Sequence, residues 1–346
     1  MSKKKETKKS KYSTQNFEST GGKKNKEASK MDWKFIIIAS IVAVAFIAAV
    51  WAYRLPINFA HIFIGHYDGT TDAMEEFKAL QLTDEDNNKM IDLCENYDDW
   101  KQQNLGYKMT TESTDGASLS AYYYDHGSDV TVVMLHSFDQ TKDSDMLMAP
   151  YFWAKGYNIY IPDMRDHGDS TGDQVSWGMN ESQDLICELN DITDTYGEQQ
   201  FILYGNLLGA GAELYAMQDL PDSVAFIIAE NAYPDFKSMV KSMCNHVINV
   251  PSIVGVPLFH FAAKKGENFD INSVDVLSHV SDQIPVLLVY GSDEVLITSE
   301  MQQEVADAIG SSETLLIDGG KYLTNYVYGQ ETYEQKVDEY INKYIK

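Results

Sequence analysis

The chain has 346 residues, 44% of them hydrophobic and 12% aromatic, enough for one large or two ordinary folded domains and too much for a wholly disordered protein. Its net charge of −25 divides unevenly: residues 1–54 carry +8, from 12 Lys or Arg against 4 Asp or Glu, which leaves −33 for residues 55–346. So acidic a body repels nucleic acid and anionic lipid, and its three cysteines (Cys94, Cys187 and Cys244) are too few for a disulfide framework and lack metal-ligand spacing.

Residues 1–34 hold eleven lysines among Ser, Thr, Asn and Gly without apolar periodicity, and read as a disordered tail. "FIIIASIVAVAFIAAVWAY", 35–53, follows with 19 uncharged residues, the length of one transmembrane helix. Trp33, Trp51 and Tyr53 sit at its margins, and the lysine excess sets the N-terminus in the cytoplasm and the large domain outside. A cleaved signal peptide is the rival reading, but "AVA" at 43–45 falls in mid-segment, so an uncleaved anchor is expected and the bilayer becomes the first partner. Residues 54–106 form a helical lead-in of mixed charge. His61 and His66 there are read as packing residues, since a metal would need further ligands nearby.

From 107 the pattern changes. "YKMTTES" and "ASLSAYYY", separated by "TDG", read as a hairpin. Strand-like runs at 130–136, 157–162, 201–205, 224–230, 285–291 and 313–318 then alternate with helix-like runs at about 143–155, 178–195, 207–219, 300–309 and 330–345. Short, continuously apolar strands between helices predict an α/β domain with a mostly parallel sheet covered on both faces. The interval 231–282 breaks the rhythm. It is helical, aromatic and Pro-punctuated, and reads as a cap inserted over the carboxyl ends of the strands, where such sheets bind ligands.

Several segments in order resemble the α/β-hydrolase family, and within it membrane-anchored bacterial serine hydrolases grouped with serine aminopeptidases and esterases. "TTESTDGASLSAYYY" is similar to the opening hairpin and "VVMLHSFDQ" to the strand leading into the oxyanion loop. "YNIYIPDMRDHGDSTGD" is similar to the family's Asp-x-Arg-Gly-His-Gly-x-Ser segment through Asp163, Arg165, His167, Gly168 and Ser170. "LYGNLLGAGAEL" resembles the nucleophile elbow, "VLLVYGSDEVLIT" the loop that carries the acid, and "LLIDGGKYLTNY" the loop that carries the histidine. The likeness spans about 107–346 and implies an α/β-hydrolase fold over those residues.

It also implies a triad of Ser, Asp or Glu, and His in chain order, in which the serine attacks, the histidine moves its proton and the acid holds the ring. Here the elbow position between Gly205 and Gly209 is Leu207, and the histidine position falls on Lys321. The acid position falls on Glu294 or Asp293. The oxyanion loop reads His136-Ser137-Phe138 where the family has His-Gly-x, so Phe138 and Leu208 stand at the oxyanion-loop equivalents. The eight histidines are His61, His66, His126, His136, His167, His246, His260 and His279, so none follows "PVLLVYG" and no shift of register supplies the usual base. Lys321 would need a strongly lowered pKa to replace it, which the nearby Asp318 opposes.

Other residues fit plainer roles. His167, between Asp166 and Asp169, suits a structural loop with Asp163 and Arg165 better than a metal site. His136 reads as a structural hydrogen-bonding group, and Ser137 beside it as a displaced nucleophile without a base. His246 and His260 read as ordinary cap residues, and Tyr151, Phe152 and Trp153 as a packed helix face. The expectation is therefore a membrane-anchored pseudoenzyme, without cofactor or nucleic acid, that binds a small molecule, a peptide or a protein partner in the cleft under the cap. An active ester or amide hydrolase using Ser137, Lys321 and Glu294 is the alternative.

Overall fold

The computed structural model describes residues 82–346 except 139, together with 33, 37, 38, 40–43, 60, 61 and 63–65. The expected tail at 1–34, most of the apolar run at 35–53 and part of the lead-in lie outside the described residues. Positions 37, 38 and 40–43 are helical and exposed, and among the described residues no helix is long and apolar enough to cross a membrane.

Eight strands form one sheet: β1 (Tyr107–Glu112), β2 (Ser118–Tyr124), β3 (Val130–Leu135), β4 (Asn158–Pro162), β5 (Gln200–Asn206), β6 (Val224–Glu230), β7 (Val286–Gly291) and β8 (Ser312–Ile317). Their order is β1-β2-β4-β3-β5-β6-β7-β8. β2 runs antiparallel to both β1 and β4, and every other pairing is parallel. Every residue of β3, β4 and β7 is buried, which explains their unbroken apolar sequence. The edge strands β1 and β8 expose most of theirs.

The period-two alternation assigns each strand residue to one of two cores. On one face, Val133, Leu135, Leu203, Ile227, Ala229 and Leu288 join a cluster that also draws on α3 (Met179–Tyr196), α4 (Leu208–Ala216) and α7 (Ser299–Ala308). The interval between β6 and β7 adds to that cluster through α5 (Phe236–Ser242), a π-helical turn (Met243–Val247) and α6 (Ser252–Gly266). On the other face, Val132, Met134, Ile202, Phe226, Ile228 and Val289 pack with residues of α1 (Asp84–Gln103), α2 (Ala149–Ala154) and α8 (Asn325–Tyr344).

Two helices depart from the sequence reading. α2 begins at Ala149, not near 143, because the preceding segment turns and draws Lys142 into an ion pair with Asp163. α8 begins at Asn325, not near 330, and runs through a non-helical Gly329 (φ −125°, ψ 27°) that masked its first turn in the sequence. The lead-in helix α1 starts at a capping box in which Thr83 Oγ1 accepts from the Asp86 backbone N–H and Asp86 Oδ2 accepts from that of Thr83. It packs Trp100 against Tyr124 and Trp153.

Beneath the α4–β5 contact lies Glu213, fully buried, with neither carboxylate oxygen hydrogen-bonded among the described residues. Burial pushes its carboxyl well above the ordinary value of 4.5. A raised folded value means that the stability Glu213 contributes is fully present below about pH 4.5, its unfolded value, and is lost as the pH rises through the folded one. Glu213→Gln is therefore expected to melt higher than the wild type at pH 7–8, with the gap shrinking toward pH 4–5. Thermal unfolding across that range measures it, and each unit of displacement corresponds to about 1.4 kcal/mol.

Candidate functional site

The turn from β5 into α4 holds Leu207 at φ 46°, ψ −94°, in the positive-φ region that a leucine avoids. Its flanking glycines explain how. A Cβ on Gly205 would lie 2.4 Å from the carbonyl carbon of Gly209, and one on Gly209 would lie 2.4 Å from the Leu135 carbonyl oxygen. Strand and helix approach so closely that only bare backbone fits on either side. The Leu207 N–H donates to the Glu230 carbonyl and its own carbonyl accepts from Gly211, both at 2.9 Å. The turn therefore keeps the sharp form of an elbow that presents a side chain.

What it presents is inert. Leu207 and Leu208 are fully buried in the apolar cluster that also contains Phe138, Trp177, Tyr233 and Phe236. Phe138 stacks on Phe63 of the lead-in with ring centroids 5.2 Å apart, and Trp177 stacks on Phe236 of the cap at 4.6 Å. Lead-in and cap residues thus enter the same apolar cluster as the elbow leucines.

The final loop corrects the expectation for Lys321. Its Nζ lies 2.6 Å from Asp86 Oδ2, so the side chain is committed to the lead-in helix. Burial alone would raise the Asp86 carboxyl, but hydrogen bonds from Lys321, Thr83 and Tyr328 outweigh it and hold it well below the usual range. The side chain that reaches the oxyanion loop is that of the next residue, Tyr322, buried, with its hydroxyl 2.9 Å from Ser137 Oγ. Sequence reasoning missed both Tyr322 and the Asp86 partner. Only the capping-box pattern of "TDED" marked Asp86, and it gave no hint of a lysine.

Between the two acids weighed, Asp293 is exposed, whereas the carboxyl of Glu294 accepts from the backbone N–H of Leu296 at 2.6 Å and of Ile297 at 3.3 Å. Burial raises the Glu294 carboxyl, and nearby backbone groups, including that of Tyr322, offset part of the rise. An acid therefore still stands beside the residue that reaches toward Ser137. His136 supplies no base. Its Nε2 accepts from the Met164 N–H at 2.9 Å, so the proton sits on Nδ1, 2.7 Å from the Ser137 carbonyl. Burial first, then the neighbouring His167 and Lys142, lower its pKa well below 6.5.

The loop after β4 is a scaffold. Asp163 accepts from the Lys142 backbone and ammonium and from the Asp169 N–H. Arg165 makes a two-pronged contact with Asp184 (2.6 and 2.7 Å) and a third with Asp115 (2.9 Å). His167 lies between the carbonyls of Arg165 (2.9 Å) and Phe138 (2.8 Å), tying this loop to the oxyanion loop. His246 is exposed and His260 lies beside Asp270 and Asn272 on the cap, so neither enters the cluster around Leu207.

On the opposite face, a cavity of about 300 Å³ opens at the ends of β3, β5 and β6. Its walls include His136, Tyr204, Asn206, Glu230 and Tyr326, and Leu82 and Met90 of the lead-in line it too. Glu230 accepts from the hydroxyls of Tyr204 and Tyr333 and from Asn325 Nδ2, whereas Oδ1 of Asn206, a buried residue, has no hydrogen-bond partner among the described residues.

No protein-family model matches the chain. Over 236 residues it is 25% identical to the Bacillus subtilis protein YqkD, covering 64% of this chain and 77% of that one. It is 22% identical to the protein ABHD8 of Bos taurus and of Homo sapiens, covering 57% of this chain and 52% of each. The aligned part thus spans only about half the length of those ABHD8 proteins. Among solved structures, an esterase from Pyrococcus furiosus superposes with a TM-score of 0.60 at 18% identity, over 70% of this chain and 93% of that one. The alpha/beta hydrolase GrgF from Penicillium gives 0.54 at 16%, over 70% and 99%. The sheet order, the strand-to-helix elbow and these superpositions define one class: the chain has the α/β-hydrolase fold. The ABHD8 likeness agrees with that fold, and nothing in the YqkD or ABHD8 likenesses assigns a substrate.

Two substitutions test this framework. Gly209→Ala must displace the Leu135 backbone and is expected to cost about 1–3 kcal/mol or more. Arg165→Ala leaves the buried Asp184 with the Ser113 hydroxyl but without its cation and is expected to cost about 3–5 kcal/mol. Denaturant unfolding of each variant beside the wild type reads both.

Proposed function

We propose that this protein is a membrane-anchored member of the α/β-hydrolase group that has lost hydrolytic chemistry and works by binding. The observation that carries the reading is Leu207: the elbow is intact, yet the side chain it holds can neither attack nor be activated. The missing histidine supports it independently, since the side chain that approaches Ser137 is the phenol of Tyr322, which does not serve as the general base that an imidazole provides at neutral pH. The alternative mechanism through Ser137, Lys321 and Glu294 gains no support from the geometry, because Lys321 is turned away to Asp86.

The apolar run 35–53 and the lysines before it support a single-pass anchor with the N-terminus in the cytoplasm and the folded domain outside. The cavity at the strand ends, more open than the packed region under the cap, is the binding site of this reading. Its size is at the lower end for small-molecule sites, and the unpartnered oxygen of Asn206 suits a small polar ligand bearing a hydrogen-bond donor.

The test combines a fluorophosphonate probe with a panel of short-chain esters. The wild type is expected to give neither labelling nor turnover, and Leu207→Ser alone to stay silent because no imidazole accompanies it. Leu207→Ser combined with Tyr322→His, which puts an imidazole beside Glu294 on the loop where the family carries its histidine, is expected to gain labelling at position 207. Saturable turnover by the wild type, abolished by Ser137→Ala, would overturn the reading.

A further inference from the structure

Helix α6 of the cap has two unlike sides. Gly255, Phe259, Ala262 and Ala263 are buried against the domain. Ile253 is 84% exposed, Val254 51% and Leu258 43%, and Pro257 and Phe261 continue the same stripe. At 100° per residue, positions 253, 254, 257, 258 and 261 fall within one arc of about 140°, and Lys264 and Lys265 extend that arc at the C-terminal end. Exposed Lys237 and Lys241 on α5 flank it, and between α5 and α6 a shallow groove is lined by Lys237, Lys241, Ile253 and Val256, with Asp235 at its margin; Lys264 also lies 3.4 Å from Asp270. Residues 236–266 hold four lysines and no Asp or Glu, in a body whose net charge is −33. This one apolar, basic face thus departs from the repulsion of anionic surfaces that the composition of the body dictates.

Covalent reach limits what can meet that face. Ala60, Phe63 and Ile64 are built into the core, and Phe63 packs on Phe259 of α6 with ring centroids 6.2 Å apart. His61 Nδ1 lies 2.9 Å from Glu267, just beyond the end of α6. Tyr53, the last residue of the apolar run, precedes Ala60 by seven residues, which extend to about 25 Å at most.

We propose that the outer face of α6 docks onto the anionic lipid surface of the membrane that holds residues 35–53, with Ile253, Val254 and Leu258 entering the interfacial layer and Lys237, Lys241, Lys264 and Lys265 meeting the headgroups. This rests on the membrane reading of the preceding subsection. The chemistry is that of an interfacial amphipathic helix: an apolar stripe too narrow to span a bilayer, edged by long cationic side chains that lay their stems along it. Attraction between lysines and anionic headgroups falls off within a Debye length, so the short lead from the apolar run is what brings the face into range.

The test uses the full chain reconstituted into vesicles of phosphatidylcholine and phosphatidylglycerol. Ile253→Cys and Leu258→Cys, and Gln303→Cys on the exposed side of α7 as reference, each carry an environment-sensitive fluorophore. The wild type, with its three free cysteines, sets the background. With nitroxide-bearing lipids, positions 253 and 258 are expected to lose most of their emission and position 303 to keep it. Lys264→Glu combined with Lys265→Glu is expected to restore emission at 258. Protein that floats with the vesicles but shows no quenching at 253 and 258 overturns the docking and leaves the anchor standing. Protein that fails to float overturns the anchor, and the docking falls with it. Emission blue-shifted but unquenched, with cross-linking between chains, means that a second copy covers the face, which also overturns the proposal.

Discussion

The close approach of α4 to β5 constrains everything around it. Because Gly205 and Gly209 meet with no room for a Cβ, the chain must reverse direction in a single residue, and that residue must take a positive φ. A leucine there costs about 1–3 kcal/mol in backbone strain. The site keeps that cost because the alternative is worse: relaxing the turn would part the helix from the sheet, strip Leu207 and Leu208 from the apolar cluster and open the contact with Leu135. In a working hydrolase the same strain aims a nucleophile. In this chain it aims a hydrocarbon, and the burial of Leu207 among aromatic residues offsets what the backbone gives up.

On the reading proposed above, the positions of a hydrolase triad differ in what the fold asks of them. The acid position still holds a buried carboxyl in Glu294, because that group has work to do in accepting the N–H groups of Leu296 and Ile297 and holding its loop. The scaffold loop persists for the same reason: Asp163, Arg165 and His167 bind backbone and buried charge, and their removal would leave uncompensated groups in the core. Serine and histidine, by contrast, carry little of the architecture. Leucine and tyrosine fill their space, and the tyrosine hydroxyl finds Ser137.

The fold was largely legible in the sequence. Strands such as "VTVVML" and "VLLVYG" are apolar on both sides because both faces are covered, and each was placed to within a residue or two. Helix starts were less legible. Lys142 and Gly329 each break a helical pattern for reasons that lie elsewhere in the chain, in Asp163 and in the kink of α8. The site was legible where it depends on backbone, as at Gly205, Leu207 and Gly209. It was not legible where side chains choose between neighbours. Lys321 and Tyr322 are adjacent in sequence and face opposite ways, and what sorts them is Asp86, more than two hundred residues earlier. The cavity beside Asn206 and Glu230 was invisible as well, since it is walled by strand ends, the start of α8 and the lead-in.

The Lys321–Asp86 pair has one more consequence. The sequence resemblance to α/β-hydrolases begins at the hairpin, near 107, and a domain boundary drawn there would separate α1 from the rest. Yet α1 holds the final loop by a buried carboxylate that accepts from Lys321 and Tyr328 at once. The helix ahead of the sheet and the loop after its last strand are thus tied to one another. A displacement of α1 itself would therefore be passed to the loop that carries Tyr322, which makes this helix part of what shapes the site.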